Sequence, residues 1–440
     1  MSIIVLVMVG CTAKEPQTLA SPDAYQVKKN EPQTAFTIII SQTAMTLANQ
    51  EVERYQYTDS QTVLYPAGVP LIMEAGKLIT FTVENQTDEV TNIHWHGLTV
   101  PNDQDGPNIK IQPQQTYEYQ FVAPEPGTYW YHAHNRPVRD QVDAGMYGPL
   151  IILAPEDEKY TGDAIFMLDD WLGTNQQMMM EQIGTIDTVN GLSGEAIPPL
   201  QIEVGGIYKL RLINASTAKT QQLRFPVPVR ITHTDGHALT QAQIVESLTI
   251  YPGERYDVEL QISQQPEQEF AIRNEREAGL VIPLEVKQQE EPMILAESPW
   301  QPAVATPLTQ IDIDREADFT FVLERDGMHG NQHWLINGEA YPNTATVTMK
   351  QGETYKIRYE NRGMHAMTHP MHIHGSYFRI ITENDQPVTN ELWKDTVGVP
   401  AGGSLELLIT FTQPGTWMLH CHILDHEDQG MMLELDVQNE

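Results

Sequence analysis

The C-terminal stretch VGVPAGGSLELLITFTQPGTWMLHCHILDHEDQGMM, residues 397–432, joins a strand pattern to a cluster of metal-binding residue types. Its first part has a Gly-containing turn, apolar/polar alternation and a PGT turn, which is typical of two half-buried β-strands. Its second part places Cys421 between His420 and His422 and continues to His426 and a pair of methionines. One short segment therefore indicates both a fold class and a chemistry.

The strand pattern occurs three times along the chain of 440 residues, each time as a Gly-containing turn, apolar/polar alternation and a stop that contains an Asn. These units are IMEAGKLITFTVENQT (72–87), LQIEVGGIYKLRLINAS (200–216) and VTMKQGETYKIRYENRG (347–363). The copies lie about 130 to 150 residues apart, which suits one β-sandwich each. We predict an all-β fold of three tandem domains at 33–155, 160–290 and 305–440, after an N-terminal segment and linker at 1–32.

The N-terminal segment has features of an export signal. An apolar run from Ile3 to Val9 ends on Gly10 and Cys11, and the polar stretch TAKEPQT follows. This arrangement resembles a bacterial lipoprotein signal, in which the cysteine becomes the lipidated first residue. The resemblance implies export to the periplasm, or to a membrane surface through a lipid anchor on Cys11.

The charge balance excludes some partners. The chain carries 59 acidic and 26 basic residues, which gives a formal net charge of −33. Such a surface repels nucleic acid and anionic membranes and concentrates cations near the protein. We therefore expect no nucleic-acid partner.

Ten of the 15 histidines fall into four short clusters, two in the first repeat and two in the third. The clusters are His94-Trp-His96-Gly, His132-Ala-His134, His369-Pro-Met-His372-Ile-His374-Gly, and His420-Cys421-His422 with His426. In a strand, residues i and i+2 point to the same face, so each H-x-H pair aims two imidazoles in one direction. Four such pairs at matching places in a repeat indicate metal binding.

Cys421 distinguishes copper from the other metals that imidazoles bind. One thiolate, two imidazoles and a weak thioether form a blue-copper site, whereas structural zinc usually takes more thiolates. The candidates are Cys421, His369, His426 and Met431. The other eight clustered histidines come equally from domains one and three, and would close a site for a small group of metal ions between them. Cys421 is covalently linked to two of those histidines, which would connect the two sites.

The sequence resembles the multicopper oxidases, the laccase and cuprous-oxidase family, from about residue 35 to the end. The resemblance is carried by HWHG (94–97), WYHAH (130–134), HPMHIHG (369–375) and HCHILDHEDQGMM (420–432). Weaker stretches are LRLINAS (210–216), DGHAL (235–239), YPGERYDV (251–258) and WKDTV (393–397). The resemblance implies cupredoxin-like Greek-key β-sandwich domains and an oxidase that uses O₂ as its acceptor.

The resemblance also implies four copper ions, one of type 1, one of type 2 and two of type 3. The implied type 1 ligands are His369, Cys421, His426 and Met431. The implied type 2 ligands are His94 and His372. The implied type 3 ligands are His96, His132 and His422 for one ion, and His134, His374 and His420 for the other.

Two carboxylates occupy places where the family keeps proton relays. Asp105 lies shortly after HWHG, and Glu427 follows His426. Reduction of O₂ to water consumes protons, and a carboxylate near a water-binding metal can supply them. The resemblance therefore implies relay roles for Asp105 and Glu427, although either could instead be a structural hydrogen-bond acceptor.

The reducing donor is open between Cu⁺ and small phenols or aromatic amines. The end of the third domain resembles the bacterial copper-efflux oxidases, which bind Cu⁺ through methionine and carboxylate groups beside type 1. The segment MHAMTHPM (364–371) offers Met364, His365, Met367 and Met371, and soft thioethers select Cu⁺. However, His365 stands where that family has an aspartate, and the methionines could simply pack around the loop. A methionine-rich insertion is also missing, which would leave His426 open to bulky donors.

We expect a monomeric multicopper oxidase that acts in copper tolerance, with a general laccase as the alternative. A simple electron carrier would need no cluster, so the eight additional histidines argue against that class. A copper buffer, which would bind metal without turnover, remains a non-enzymatic alternative. The remaining histidines, for which we expect only structural roles, are His233, His237, His329 and His333.

Overall fold

The computed structural model describes residues 18–48, 50–60, 63–171, 184–264, 270–275, 279–287, 295–306, 310–327, 333–362 and 367–439. Cys11, His329, Met364 and His365 lie outside these ranges. Within them the chain is built mainly from β-strands joined by turns, so the predicted all-β fold is confirmed. No helix in the described ranges is long and apolar enough to cross a membrane.

The first domain is a sandwich of two mixed sheets, ordered β3-β2-β6-β8 and β5-β10-β9-β7. Its strands are β1 (Thr18–Leu19), β2 (Ala35–Leu47), β3 (Gln50–Thr58), β4 (Val63–Leu64), β5 (Leu71–Glu74), β6 (Leu78–Asn85), β7 (His94–His96), β8 (Thr116–Val122), β9 (Gly127–His132) and β10 (Tyr147–Leu153). Its helices are α1 (Val138–Asp143) and the 3-10 segments Pro22–Tyr25, Asn102–Gln104 and Pro155–Lys159. The alternating inward side chains of both sheets, among them Phe81, Trp95 and Tyr131, form its core.

The second domain is one extensive sheet, ordered β12-β11-β14-β17-β15-β18-β19-β13, with β16 paired to β15. Its strands are β11 (Gly162–Trp171), β12 (Ile186–Val189), β13 (Leu200–Glu203), β14 (Ile207–Asn214), β15 (Gln221–Thr234), β16 (His237–Ile250), β17 (Arg255–Gln261), β18 (Phe270–Asn274) and β19 (Val281–Lys287). A 3-10 segment covers Gly194–Ala196. This sheet curves around its own apolar core.

The third domain has a six-stranded sheet, β21-β20-β23-β28-β25-β26, and a five-stranded sheet, β22-β30-β29-β24-β27. Its strands are β20 (Phe319–Asp326), β21 (His333–Ile336), β22 (Val347–Lys350), β23 (Thr354–Asn361), β24 (His369–Ile373), β25 (Phe378–Glu383), β26 (Gln386–Lys394), β27 (Thr396–Val399), β28 (Ser404–Thr410), β29 (Gly415–Cys421) and β30 (Met432–Gln438). Its helices are α2 (Gln310–Asp314) and α3 (Leu424–Asp428). The three domain boundaries stay a prediction.

The three sequence repeats form the same local unit. β6, β14 and β23 end at Asn85, Asn214 and Asn361, and each is the second strand of its repeat. Each of these asparagines donates two side-chain hydrogen bonds to carbonyl oxygens, one in the segment that follows its strand and one in a more distant segment. Buried carbonyls need such donors. The recurring Asn therefore ties the segment after each repeated strand to a second part of the domain.

Candidate metal centre

The inner sheets of the terminal domains present their histidines in the same register. In the first domain β7 pairs antiparallel with β9, which sets His94 opposite His132. In the third domain β24 pairs antiparallel with β29, which sets His372 opposite His420. Each cluster lies at or beside the end of its strand, and the two sets face each other between the domains.

Eight imidazoles meet across this interface, four from each terminal domain. The rings of His94 and His374 stack with centroids 3.8 Å apart, and those of His96 and His372 stack at the same distance. The Nε2 atom of His420 lies 3.0 Å from Nε2 of His374 and 3.4 Å from Nε2 of His134. We call this set, His94, His96, His132, His134, His372, His374, His420 and His422, the histidine cluster.

The histidine cluster has the properties of a metal site. All eight side chains are buried. Among the described residues, Nε2 of His94, His132 and His372, Nδ1 of His96 and both ring nitrogens of His422 have no hydrogen-bond partner. Burying a polar atom without a partner is costly. Metal ions in the middle of the cluster would satisfy these nitrogens, and several triads have ligand atoms within 4.8 Å of one another.

Burial also keeps most of these imidazoles in the form that binds metal. Burial lowers the pKa of His132, His134 and His422 well below the ordinary value, with the neighbouring histidines adding to the effect. It lowers the pKa of His372 to about 4. These rings are therefore neutral near pH 7, and neutral imidazole is the metal ligand.

A second group of ligands, all from the third domain, lies beside Cys421. Its Sγ atom is 3.5 Å from Nδ1 of His426 and 3.7 Å from Nδ1 of His369, and the two Nδ1 atoms are 3.2 Å apart. Met431 is buried here too, and its backbone carbonyl accepts a hydrogen bond from the Cys421 N–H. Burial raises the pKa of the Cys421 thiol, so a bound cation is needed to stabilise the thiolate.

The expectation that His426 is open to bulky donors is wrong. The side chain of His426 is fully buried, and the indole of Trp334 stacks on it with centroids 3.7 Å apart. Trp334 itself is only 3% exposed, and the Arg325 guanidinium lies 5.3 Å over its ring. The missing insertion does not leave an exposed imidazole edge because β21 supplies an aromatic cover.

The two predicted relay carboxylates are buried beside the histidine cluster. Asp105 accepts a hydrogen bond from Nδ1 of His374 at 2.8 Å through Oδ2. Glu427 places Oε2 3.1 Å from Nδ1 of His420 and Oε1 3.6 Å from Nε2 of His134. The other oxygen of Asp105, Oδ1, lies 3.3 Å from Nδ1 of His94, so both carboxylates contact imidazoles of the cluster.

Sequence reasoning missed one residue of the site, Asp395. Its Oδ1 atom lies 3.1 Å from Nε2 of His96, and Arg255 of the second domain holds both carboxylate oxygens at 2.7 and 2.6 Å. Burial alone would raise the pKa of Asp395, but Arg255 and the hydrogen bonds hold it well below its ordinary value. Two stretches that carry the family resemblance contain these residues, since WKDTV includes Asp395 and YPGERYDV includes Arg255.

The structure describes two methionines of the segment predicted to bind the donor, Met367 and Met371, and both make packing contacts. Met367 is half-buried against the core of the third domain, and Asn361 holds its backbone carbonyl at 2.8 Å. Met371 is fully buried in that core. Met364 and His365 lie outside the described residues.

Two histidines without a predicted function lie in buried contacts of the second domain. His233 bonds to Thr232, and burial lowers its pKa to about 3. His237 packs with a tilted ring against Tyr377 of the third domain, with centroids 4.1 Å apart. These contacts fit the structural roles that we expect, whereas His333 is exposed.

Comparison with known proteins agrees with this geometry. Three family models described as multicopper oxidase match residues 46–157, 162–299 and 304–440. Multicopper oxidase MmcO of Mycobacterium tuberculosis is 27% identical, covering 83% of this chain and 81% of that protein. Multicopper oxidase mco of Staphylococcus aureus is 27% identical, with 88% and 86% covered.

The solved structures agree as well. The crystal structure of a multi-copper oxidase from Pediococcus acidilactici superposes with a TM-score of 0.78 at 25% identity, covering 97% of this chain and 92% of that one. The three family models together span most of the chain, one for each of the three domains described above. This chain therefore belongs to the multicopper oxidase family, whose members are copper-binding oxidoreductases.

Proposed function

We propose that this protein oxidises a donor, one electron at a time, and couples four such steps to the reduction of O₂ to two waters. Four electrons and four protons are consumed for each O₂. The group around Cys421 would hold type 1 copper with Met431. The histidine cluster would hold the type 2 copper, on His94 and His372, and the two type 3 coppers on its other six histidines. When bound, copper supplies the one-electron chemistry and the binding of O₂.

The observation that carries this proposal is the position of Cys421 between the two sites. Its side chain lies in the third-domain group, while its sequence neighbours His420 and His422 lie in the histidine cluster. A short covalent path through the main chain therefore joins the donor side to the O₂ side. A simple electron carrier would need only the first group, and a storage site would not need this connection.

The chain's own residues prepare the site for this reaction. Burial keeps bulk water out of the histidine cluster and keeps most of its imidazoles neutral. Glu427 and Asp105 offer buried carboxylate oxygens that can hold protons beside His420 and His374. Proton delivery to reduced oxygen needs such groups within hydrogen-bond reach, directly or through one water.

We further propose Cu⁺ as the donor, in copper tolerance outside the cytoplasm. Two observations support a small cation over a bulky phenol. His426 is buried under Trp334, which leaves no ring edge for a large aromatic donor to touch. The net charge of −33 concentrates cations around the protein. The test compares O₂ uptake by copper-loaded protein with Cu⁺ and with a phenol as donor. Copper binding without O₂ uptake would favour a copper buffer. Faster O₂ uptake with the phenol would favour a laccase.

Replacing Trp334 with Ala should increase the reactivity of bulky phenols several-fold, measured as kcat/KM. Removing the indole uncovers His426 and shortens the distance between its ring and a large donor. The matched variant Trp334→Phe keeps an aromatic cover and should behave like the wild type. Unchanged phenol oxidation in Trp334→Ala, with the blue absorption intact, would show that the indole does not limit access.

Replacing Met367 with Leu should slow Cu⁺ oxidation more than phenol oxidation if the thioether contacts the incoming ion. Leu preserves the packing of Met367 against the third-domain core, so stability should change little. The measurement is the ratio of the two rates in variant and wild type. Equal effects on both donors would leave Met367 with the packing role that its contacts already show.

A further inference from the structure

The second domain touches the histidine cluster without contributing a ligand to it from the described residues. The loop before β17 makes this contact. Gly253 has φ +87°, and a Cβ there would lie 2.8 Å from the ring of His422. Two residues later, Arg255 is fully buried and reaches the His96 side of the cluster.

Arg255 forms a two-pronged ion pair with Asp395 through its planar guanidinium. Nη1 is 2.7 Å from Oδ1 and Nη2 is 2.6 Å from Oδ2, and both residues are fully buried. Gly97, the last residue of HWHG, makes room for this pair, because a Cβ there would lie 2.3 Å from Nη2 of Arg255. Asp235 fixes the backbone of both residues, since its carboxylate accepts hydrogen bonds from the backbone N–H of Arg255 and of Asp395.

The fixed carboxylate of Asp395 determines the tautomer of His96. Nε2 of His96 lies 3.1 Å from Oδ1 of Asp395 and 3.0 Å from the Thr396 hydroxyl. The hydroxyl donates its hydrogen to Oδ1, and a carboxylate can only accept, so Nε2 carries a hydrogen and donates it. The lone pair is then on Nδ1, which is buried and has no partner among the described residues. Asp395 acts on His372 as well, because its backbone carbonyl accepts a hydrogen bond from Nδ1 of His372 at 2.9 Å.

Asp395 could instead be read as a metal ligand, since one of its oxygens lies within 4.8 Å of ligand atoms of His96 and His372. The contacts argue against that. Its oxygens already accept from Arg255, His96 and the Thr396 hydroxyl. A guanidinium beside the carboxylate also repels a cation at that point.

We propose that Arg255 and Asp395 form a positioning device through which the second domain selects Nδ1 as the nitrogen that His96 offers to copper. The device rests on the proposed function, because it acts on the histidine cluster. Partners that orient metal-bound histidines change metal affinity about 10- to 100-fold when they are replaced. Through this pair, Arg255 of the second domain becomes part of the metal centre.

The test replaces Asp395 with Leu, which is similar in size and cannot accept a hydrogen bond. The Thr396 hydroxyl, which donates to Oδ1 of Asp395 in the wild type and lies 3.0 Å from Nε2 of His96, is then free to donate to that nitrogen. The imidazole would then accept at Nε2 and carry its hydrogen on Nδ1, which closes the metal-facing nitrogen. In copper-free protein labelled with ¹⁵N-histidine, we expect the His96 signal, assigned with a His96→Phe variant, to change from the Nε2–H to the Nδ1–H tautomer. After copper loading, we expect a 10- to 100-fold loss of cluster affinity with blue absorption kept.

The matched control is Asp163→Leu. Asp163 forms a buried two-pronged pair with Arg211, at 2.7 and 2.8 Å, and among the described residues neither of the two bonds to a histidine of the cluster. Breaking that pair should leave the His96 tautomer and the copper content unchanged. If Asp395→Leu does not fold, Arg255→Lys, which keeps the charge but loses the two-pronged contact, should show the same loss of cluster copper.

An unchanged tautomer and wild-type copper content in the folded variant would overturn the positioning role of Arg255 and Asp395, as would equal losses in the Asp163→Leu control. Failure of the wild type to bind copper at the cluster would overturn the proposed function instead. The tautomer measurement needs no copper, so it would still decide whether Asp395 orients His96.

Discussion

Replacing Cys421 with Ser should abolish the intense blue absorption and reduce O₂ consumption at least about a thousandfold. The thiolate is the strongest ligand of the group formed with His369 and His426, and a serine hydroxyl stays protonated and binds copper weakly. Cys421 is also the residue whose main chain leads to both His420 and His422. The substitution therefore removes the donor-side site and the entrance of the electron path together.

The histidine cluster should survive this change, and that separates a loss of one site from a loss of fold. Cys421 is fully buried, and Ser is slightly smaller, so the domain core loses little packing. Metal analysis should show about one copper fewer per chain, with the remaining copper still bound by imidazoles. A blue, active Cys421→Ser protein would refute the assignment of type 1 copper to this residue.

The strands and the histidine pairs could be predicted because both depend on local periodicity. Apolar/polar alternation defined β6, β14 and β23, and the i, i+2 spacing predicted that neighbouring histidines share a face. The rings of His420 and His422 do lie together, with centroids 5.9 Å apart. The repeat then related the first domain to the third, so that two sets of four imidazoles could be expected to meet.

What the sequence did not reveal depends on contacts between distant segments. Arg255 and Asp395 are 140 residues apart and come from different domains. Each resembled an ordinary surface charge until the fold buried both. The same holds for Trp334, because no spacing rule relates an edge strand to His426. Glycines carried a readable signal, since Gly97 and Gly253 occur where another residue approaches the backbone closely.

Replacing Glu427 with Gln should slow the reduction of O₂ about 100-fold while leaving reduction of the blue copper by the donor unchanged. Glu427 is fully buried next to His426, and its oxygens lie 3.1 Å from His420 and 3.6 Å from His134. Glutamine has the same shape and still offers an oxygen to His420, but it cannot carry a proton. Only the step that consumes protons should therefore be affected.

Two stopped-flow measurements separate the steps for this variant. Bleaching of the blue band by donor without O₂ reports electron entry, and its return on mixing with O₂ reports the proton-consuming half. Glu434→Gln is the matched control, because Glu434 bonds only to Tyr341 among the described residues and should change neither rate. Asp105→Asn should slow the same half, since Asp105 holds a carboxylate oxygen 2.8 Å from Nδ1 of His374. If Glu427→Gln slowed bleaching and reoxidation equally, the carboxylate would be orienting His420 and the copper sites, and proton transfer would have to be assigned elsewhere.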